Sequence, residues 1–297
     1  MGAFMRRRTL LAALGAAPFI TTHGYAATLS APLTADDRGR PLADVHINGA
    51  GPFSLVIDTA AGATVLNPRT IERLALRPTG QRVRMQGASG AIEADLYSLD
   101  RVEIAGLTRE NLMAVPTPAD SASASQHEGV LGMGVFANSR VEFDFAGSRL
   151  NIDTGANRAP LANAVRVELR NRIFALAPIS IGGVNATAVI DTGARATVAN
   201  ARLREALGFA ENDPRLREAE PIGGATSHRT PTFAAEVTPV LFAGHDYGAL
   251  DLNFADLSVF NAMQLTDAPA VILGVDILRR AQSLTLDYTS AEVALRV

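Results

Sequence analysis

Two stretches of the chain share one pattern of apolar and polar positions. Phe53-Ser-Leu-Val-Ile-Asp58-Thr-Ala-Ala-Gly62-Ala-Thr64 is an apolar run ending in an aspartate, a threonine and small residues, and Asn185-Ala-Thr-Ala-Val-Ile-Asp191-Thr-Gly-Ala194 has the same layout. Runs rich in Val, Ile and Leu read as buried strands, and the small residues behind each aspartate read as a turn that other backbone can approach closely. Each run therefore carries a carboxylate from the core to a strand end. A lone aspartate there is usually a turn residue, whereas two in matching contexts suggest a pair.

The flanking pattern repeats as well. Residues 42–47 alternate, Asn48-Gly49 turns the chain and residues 53–57 return; residues 175–181, Gly182-Gly183 and residues 186–190 do the same, which predicts a hairpin in each half. A short helix is expected after each aspartate. The first starts at Asn67-Pro68 with Ile71, Leu74 and Leu76 as its apolar face, and the second runs over residues 201–207 with Gly208 suited to end it. Both should pack beneath the sheets and stay out of any site. Glycine-rich hairpins follow, one with Gly87, Ala88, Ser89 and Gly90 at its tip and one with Gly223-Gly224. Next come Val130-Leu131-Gly132 and Ile272-Leu273-Gly274, and then strand pairs around Asp144 and Asp287. Asp58 to Gly132 spans 74 residues (132 − 58) and Asp191 to Gly274 spans 83 (274 − 191). One order at near-equal spacing indicates a duplicated β-rich lobe, and a period this long argues against a solenoid.

Composition narrows the function classes. The chain has 297 residues, 47% of them hydrophobic, and a net charge of −3 with no sustained basic stripe, so a globular protein is expected and nucleic-acid or anionic-membrane binding is not. With no cysteine there are no disulfides, thiolate nucleophiles or Cys metal sites. The five histidines, His23, His46, His127, His228 and His245, lack the spacing of a zinc site. No metal or other cofactor is expected. Arg6-Arg-Arg8, the apolar run 10–20 and small residues up to Ala27 have the layout of an export signal, with Sec and twin-arginine routes both open, which predicts a periplasmic or secreted protein with no membrane span in the mature chain. The division expected is a signal over residues 1–27, one lobe over 28–160 and a second over 161–297, with the linker near Pro160 and a low-complexity loop over residues 121–125.

Asp58-Thr-Ala-Ala and Asp191-Thr-Gly-Ala, each with a later apolar-apolar-Gly, resemble the two halves of an aspartic protease of the retropepsin and pepsin type, over nearly all of the chain after the signal. The helix after each aspartate is similar to that of bacterial exported members. The resemblance implies an all-β fold of two homologous β-barrel lobes with a short helix in each, and catalytic aspartates Asp58 and Asp191 meeting at the base of a cleft. It implies that Thr59 and Thr192 bond across the centre, that Ala60 and Gly193 form the turns, and that Gly87, Ala88, Ser89 and Gly90, with Gly223 and Gly224, act as flaps over an extended peptide. Two lobes in one chain supply both aspartates, so a monomer is expected. A third match to the signature, Asp153-Thr-Gly-Ala156, is out of register, only 38 residues (191 − 153) before Asp191, and reads as an interlobe turn.

Two carboxylates a few ångströms apart share a proton, so one serves as base and the other as acid for water attack on a peptide carbonyl. Ala61 and Ala194 stand where acid-active relatives often carry a hydroxyl that stabilises the charged carboxylate, which predicts activity at milder pH. The departure from the family pattern is Ala60, where the first lobe normally has glycine. A positive φ there would strain the turn by roughly 1–3 kcal/mol, and this leaves a non-catalytic peptide-binding module of the same fold as the alternative. A glycoside hydrolase using the same two carboxylates ranks far behind, because the chain has no tryptophan and only 5% aromatic residues for stacking on sugars.

Overall fold

The expected alternation, and the places where it stops, are explained by the sheets of the computed structural model, which describes residues 28–118, 127–156 and 158–297. Strand Pro41–Ile47 buries every second residue. Its partner Ala50–Asp58 gives up alternation where Leu55, Val56 and Ile57 are all buried, because Leu55 and Ile57 enter the main core while Val56 joins a smaller apolar cluster on the other face. Val184–Ile190 repeats this, with Ala188 and Ile190 in the main core and Val189 in a second cluster. The two hairpin turns have left-handed φ at both central residues, 51° and 79° at Asn48-Gly49 and 56° and 80° at Gly182-Gly183, as the tight turn matched to strand twist requires.

Three sheets result. An eight-stranded sheet is built from strands between Thr34–Ala35 and Gly129–Gly132, and a ten-stranded sheet from strands between Glu168–Arg170 and Ala270–Leu273. A six-stranded sheet takes strands from both halves of the chain. At its middle Arg140–Asp144 runs antiparallel to Ser283–Asp287, with Val141 opposite Leu286 and Phe143 opposite Leu284. This is the all-β, two-lobe acid-protease fold. The expected helices are Pro68–Arg73 and Ala201–Ala206, capped by Asn67 and Asn200, whose side chains accept the N–H groups of Thr70 and Leu203. Further short helices, Ser258–Ala262 and Val275–Leu278, and a 3₁₀ turn, Met133–Phe136, had no clear signal in the sequence.

Asp153 ends strand Arg149–Asp153 and accepts the N–H of Gly155 at 2.7 Å, a local turn away from the cleft. The segment read as an export signal and the loop 121–125 lie outside the described residues. Among the described residues no helix is long and apolar enough to cross a membrane.

Candidate active site

In each half the aspartate-bearing strand lies parallel to the apolar-apolar-Gly strand, with Asp58 opposite Gly132 in one and Ile190 opposite Leu273 in the other. The glycine is required by space. A β-carbon on Gly132 would stand 2.6 Å from the Ala63 carbonyl oxygen, and one on Gly274 would stand 2.9 Å from that of Ala194. The residue after each glycine closes the turn, Met133 N–H to Ala61 O and Val275 N–H to Ala194 O, both at 2.9 Å.

The two turns are bound to each other through buried threonines. Thr59 Oγ1 donates to Ile190 O at 2.7 Å and accepts from Thr192 N at 2.9 Å; Thr192 Oγ1 donates to Ile57 O at 2.6 Å and accepts from Thr59 N at 3.1 Å. Both threonines are fully buried, so four otherwise unsatisfied polar groups are paired across the centre.

This grip brings the Asp58 and Asp191 carboxyls within hydrogen-bonding reach of each other. Each also accepts its turn's amide, Ala60 N–H to Asp58 Oδ1 and Gly193 N–H to Asp191 Oδ1, both at 2.8 Å, and Asp191 accepts Ala194 N–H at 2.9 Å. Burial raises the pKa of Asp58 above the ordinary carboxylate range, opposed by the Ala60 amide and then by the Arg40 guanidinium. Burial and then the charge of Asp58 push Asp191 well above that range. The two carboxyls therefore titrate as one coupled pair that retains a proton above the ordinary carboxylate range.

Ala60 is free of the strain that its sequence position raised. It is absent from the described non-glycine residues with positive φ, its amide bond matches that of Gly193 in length, and its side chain packs on the second lobe's apolar cluster with Phe174 and Ala194. Gly193 has no such room, since a β-carbon there would fall 2.2 Å from Asp58 Oδ2.

The pair opens into a cavity of about 530 Å³. Gly87, Ala88, Gly223 and Gly224 line it, whereas Ser89 and Gly90 do not. These two join the hairpins to each other: Ser89 Oγ donates to Ile222 O at 2.7 Å, and Gly90 stands against the His228 ring. Gln86 Nε2 donates to Ser258 Oγ at 2.8 Å, and Ala88 O accepts Val259 N–H at 3.2 Å, so the first hairpin spans the cleft to the second lobe. Neither of the two expected helices contributes to the lining.

Sequence reasoning missed the arginines of the cleft, Arg38, Arg40, Arg84, Arg170, Arg195 and Arg229. Arg195 follows the second turn directly and was findable by position. Arg40 was not, because its buried pairing with Asp36 at 2.6 Å carries no local pattern.

Residues 43–135 match the family model described as aspartyl protease. The matched span holds Asp58, its turn, the first hairpin and Gly132, and it supports assigning the chain to the aspartic proteases of the retropepsin-like kind, with peptidase activity in general. No curated protein matches the chain.

Proposed function

We propose that the protein is an aspartic endopeptidase whose dyad is Asp58 and Asp191, one from each of the lobes 28–160 and 161–297. The observation that carries this reading is that the two carboxyls meet at the floor of the cleft, each oriented by a turn amide, Ala60 N–H for Asp58 and Gly193 N–H for Asp191. Asp58, ionised, removes a proton from water; the hydroxide attacks the peptide carbonyl carbon while Asp191 gives its proton to the carbonyl oxygen. The tetrahedral intermediate collapses when Asp191 takes back a hydroxyl proton and Asp58 passes its proton to the departing amine. Atoms balance without a covalent intermediate.

The unstrained Ala60 supports this reading over the binding module, because the amide that orients Asp58 is retained. The active form is the singly ionised dyad. Both carboxyls titrate above the ordinary range, so the acid limb of the rate profile falls at milder pH than for an unperturbed pair. Thr59 and Thr192 hold the geometry, and the two hairpins cover an extended peptide that pairs with them as a strand does. Export to the periplasm or outside the cell, and action as a monomer, complete the proposal.

The test is cleavage of a peptide library by the purified protein and by Asp58→Asn and Asp191→Asn. Loss of about 10²–10⁴-fold in kcat for either variant is expected. Cleavage that survives both substitutions, or peptide binding without cleavage in the unaltered protein, sinks it.

A further inference from the structure

Asp191 follows Asp58 by 133 residues (191 − 58), and the same offset relates Arg195 to Gly62, whereas before the hairpin turns the strand registers give 134 (176 − 42), which relates Arg172 to Arg38 and Phe174 to Arg40. The two ends of the cleft differ in charge. At one end Gly62 faces the Phe174 ring and the Ile173 side chain. At the other, Arg195 Nη2 bonds Glu220 Oε2 at 2.7 Å, Arg229 Nη2 lies 3.9 Å from the other oxygen of the same carboxylate, and Arg38 is within its electrostatic reach. All four residues line the cavity.

The remaining lining arginines have other partners. Arg40 is committed to Asp36, Arg170 to Glu168 and to the Met263 carbonyl, and Arg84 stands across its strand pair from Glu93. Apart from the dyad, Glu220 is the sole acid lining the cavity among the described residues, so three guanidinium groups against one carboxylate leave a local charge of +2 (3 − 1). A planar guanidinium fork matches a carboxylate in two bonds at once. Arg195 and Arg229 keep about half of their side-chain surface open, 47% and 57%, so a substrate carboxylate can reach them without displacing Glu220.

Resting on the endopeptidase reading, we infer that this end of the cleft is a specificity subsite for an acidic side chain, so that the preferred substrate is an extended peptide with Asp or Glu bound at Arg38, Arg195 and Arg229 and an apolar residue bound at the Ile173 and Phe174 end.

Matched peptides carrying Glu or Gln at each position around the scissile bond test this. One position should favour Glu by about tenfold in kcat/KM, which is about 1.4 kcal/mol, and the preference should shrink as salt is raised. In Arg38→Gln/Arg195→Gln the Glu-to-Gln ratio should fall to near unity, and in Arg38→Glu/Arg195→Glu the favoured residue should become Lys. A ratio near unity at every position in the unaltered protein, or a ratio unchanged in the first double variant, overturns the inference. Should a double variant fold poorly, Arg229→Gln and the salt dependence of the unaltered protein decide the question instead: a Glu preference that neither of them weakens overturns the inference as well. Affinity of the same peptides for Asp58→Asn separates the two readings: tighter Glu peptides without cleavage by the unaltered protein fail the peptidase and keep the subsite, and cleavage without Glu preference fails the subsite alone.

Discussion

The two aspartate turns, Asp58-Thr-Ala-Ala and Asp191-Thr-Gly-Ala, have nearly the same hydrogen bonds and unlike surroundings. Thr59 and Thr192 exchange equivalent bonds, and Ala60 and Gly193 orient their aspartates at one distance. Around that core they part. Ala60 directs its methyl group into apolar packing, while any methyl on Gly193 would strike Asp58. Arg40 stands near Asp58, and its counterpart in the second half is Phe174. Two matching turns thus sit in unlike electrostatic and steric surroundings. The difference lies in the neighbours of the motif.

The largest expected effect of breaking this comparison is at the glycine. Gly193→Ala should push the Asp58 carboxyl aside and lower kcat about 10²-fold, the scale for a misplacement of about 1 Å, whereas Ala60→Gly should cost at most about 1 kcal/mol of stability and little activity. Equal losses from the two substitutions would refute the packing difference. Next come the threonines. Thr59→Val and Thr192→Val each leave a buried carbonyl and a buried N–H unpaired, at about 1–3 kcal/mol per group, and chemical denaturation should show similar losses for both. A large inequality would mean that the grip is not shared evenly.

A smaller effect sharpens the electrostatic half. Arg40 holds down the pKa of Asp58, so Arg40→Gln should raise it and move the acid limb of the rate profile to higher pH. No movement of that limb, measured on the folded variant, would mean that Arg40 does not tune the dyad. The smallest concerns the helix caps. Asn67 donates to the His127 carbonyl and Asn200 to that of Leu265. Burial and then Arg40 push the buried His127 down to about 4. Its folded pKa lies below the unfolded value of about 6.5, so the stability it contributes is full above that value and is lost as pH falls toward 4. Amide exchange around Asn67 should therefore quicken before exchange around Asn200 over that range, and His127→Leu should abolish the difference.

The fold was legible because it rests on short-range signals repeated in order. Asn48-Gly49 and Gly182-Gly183 supply the left-handed φ that their turns need, Asn67-Pro68 starts a helix, and the apolar runs before Asp58 and Asp191 report burial on both faces. The pairing of those aspartates was legible for the same reason, since the matching elements come in one order around each of them. Residues at the ends of the cleft were not. Arg38 and Arg195 lie far along the chain from Glu220 and Arg229, and each alone resembles an ordinary surface charge. The helix Ser258–Ala262 escaped notice because five residues leave too short a periodic signal.

By itself, then, the chain determined its strands, its turns, a repeated order of elements and two candidate carboxylates, all of which follow from local residue chemistry and spacing. Only the tertiary structure decided how the two carboxyls meet, whether Ala60 fits and which end of the cleft is cationic. Those depend on where side chains from distant segments meet, and on how much space and solvent they leave one another.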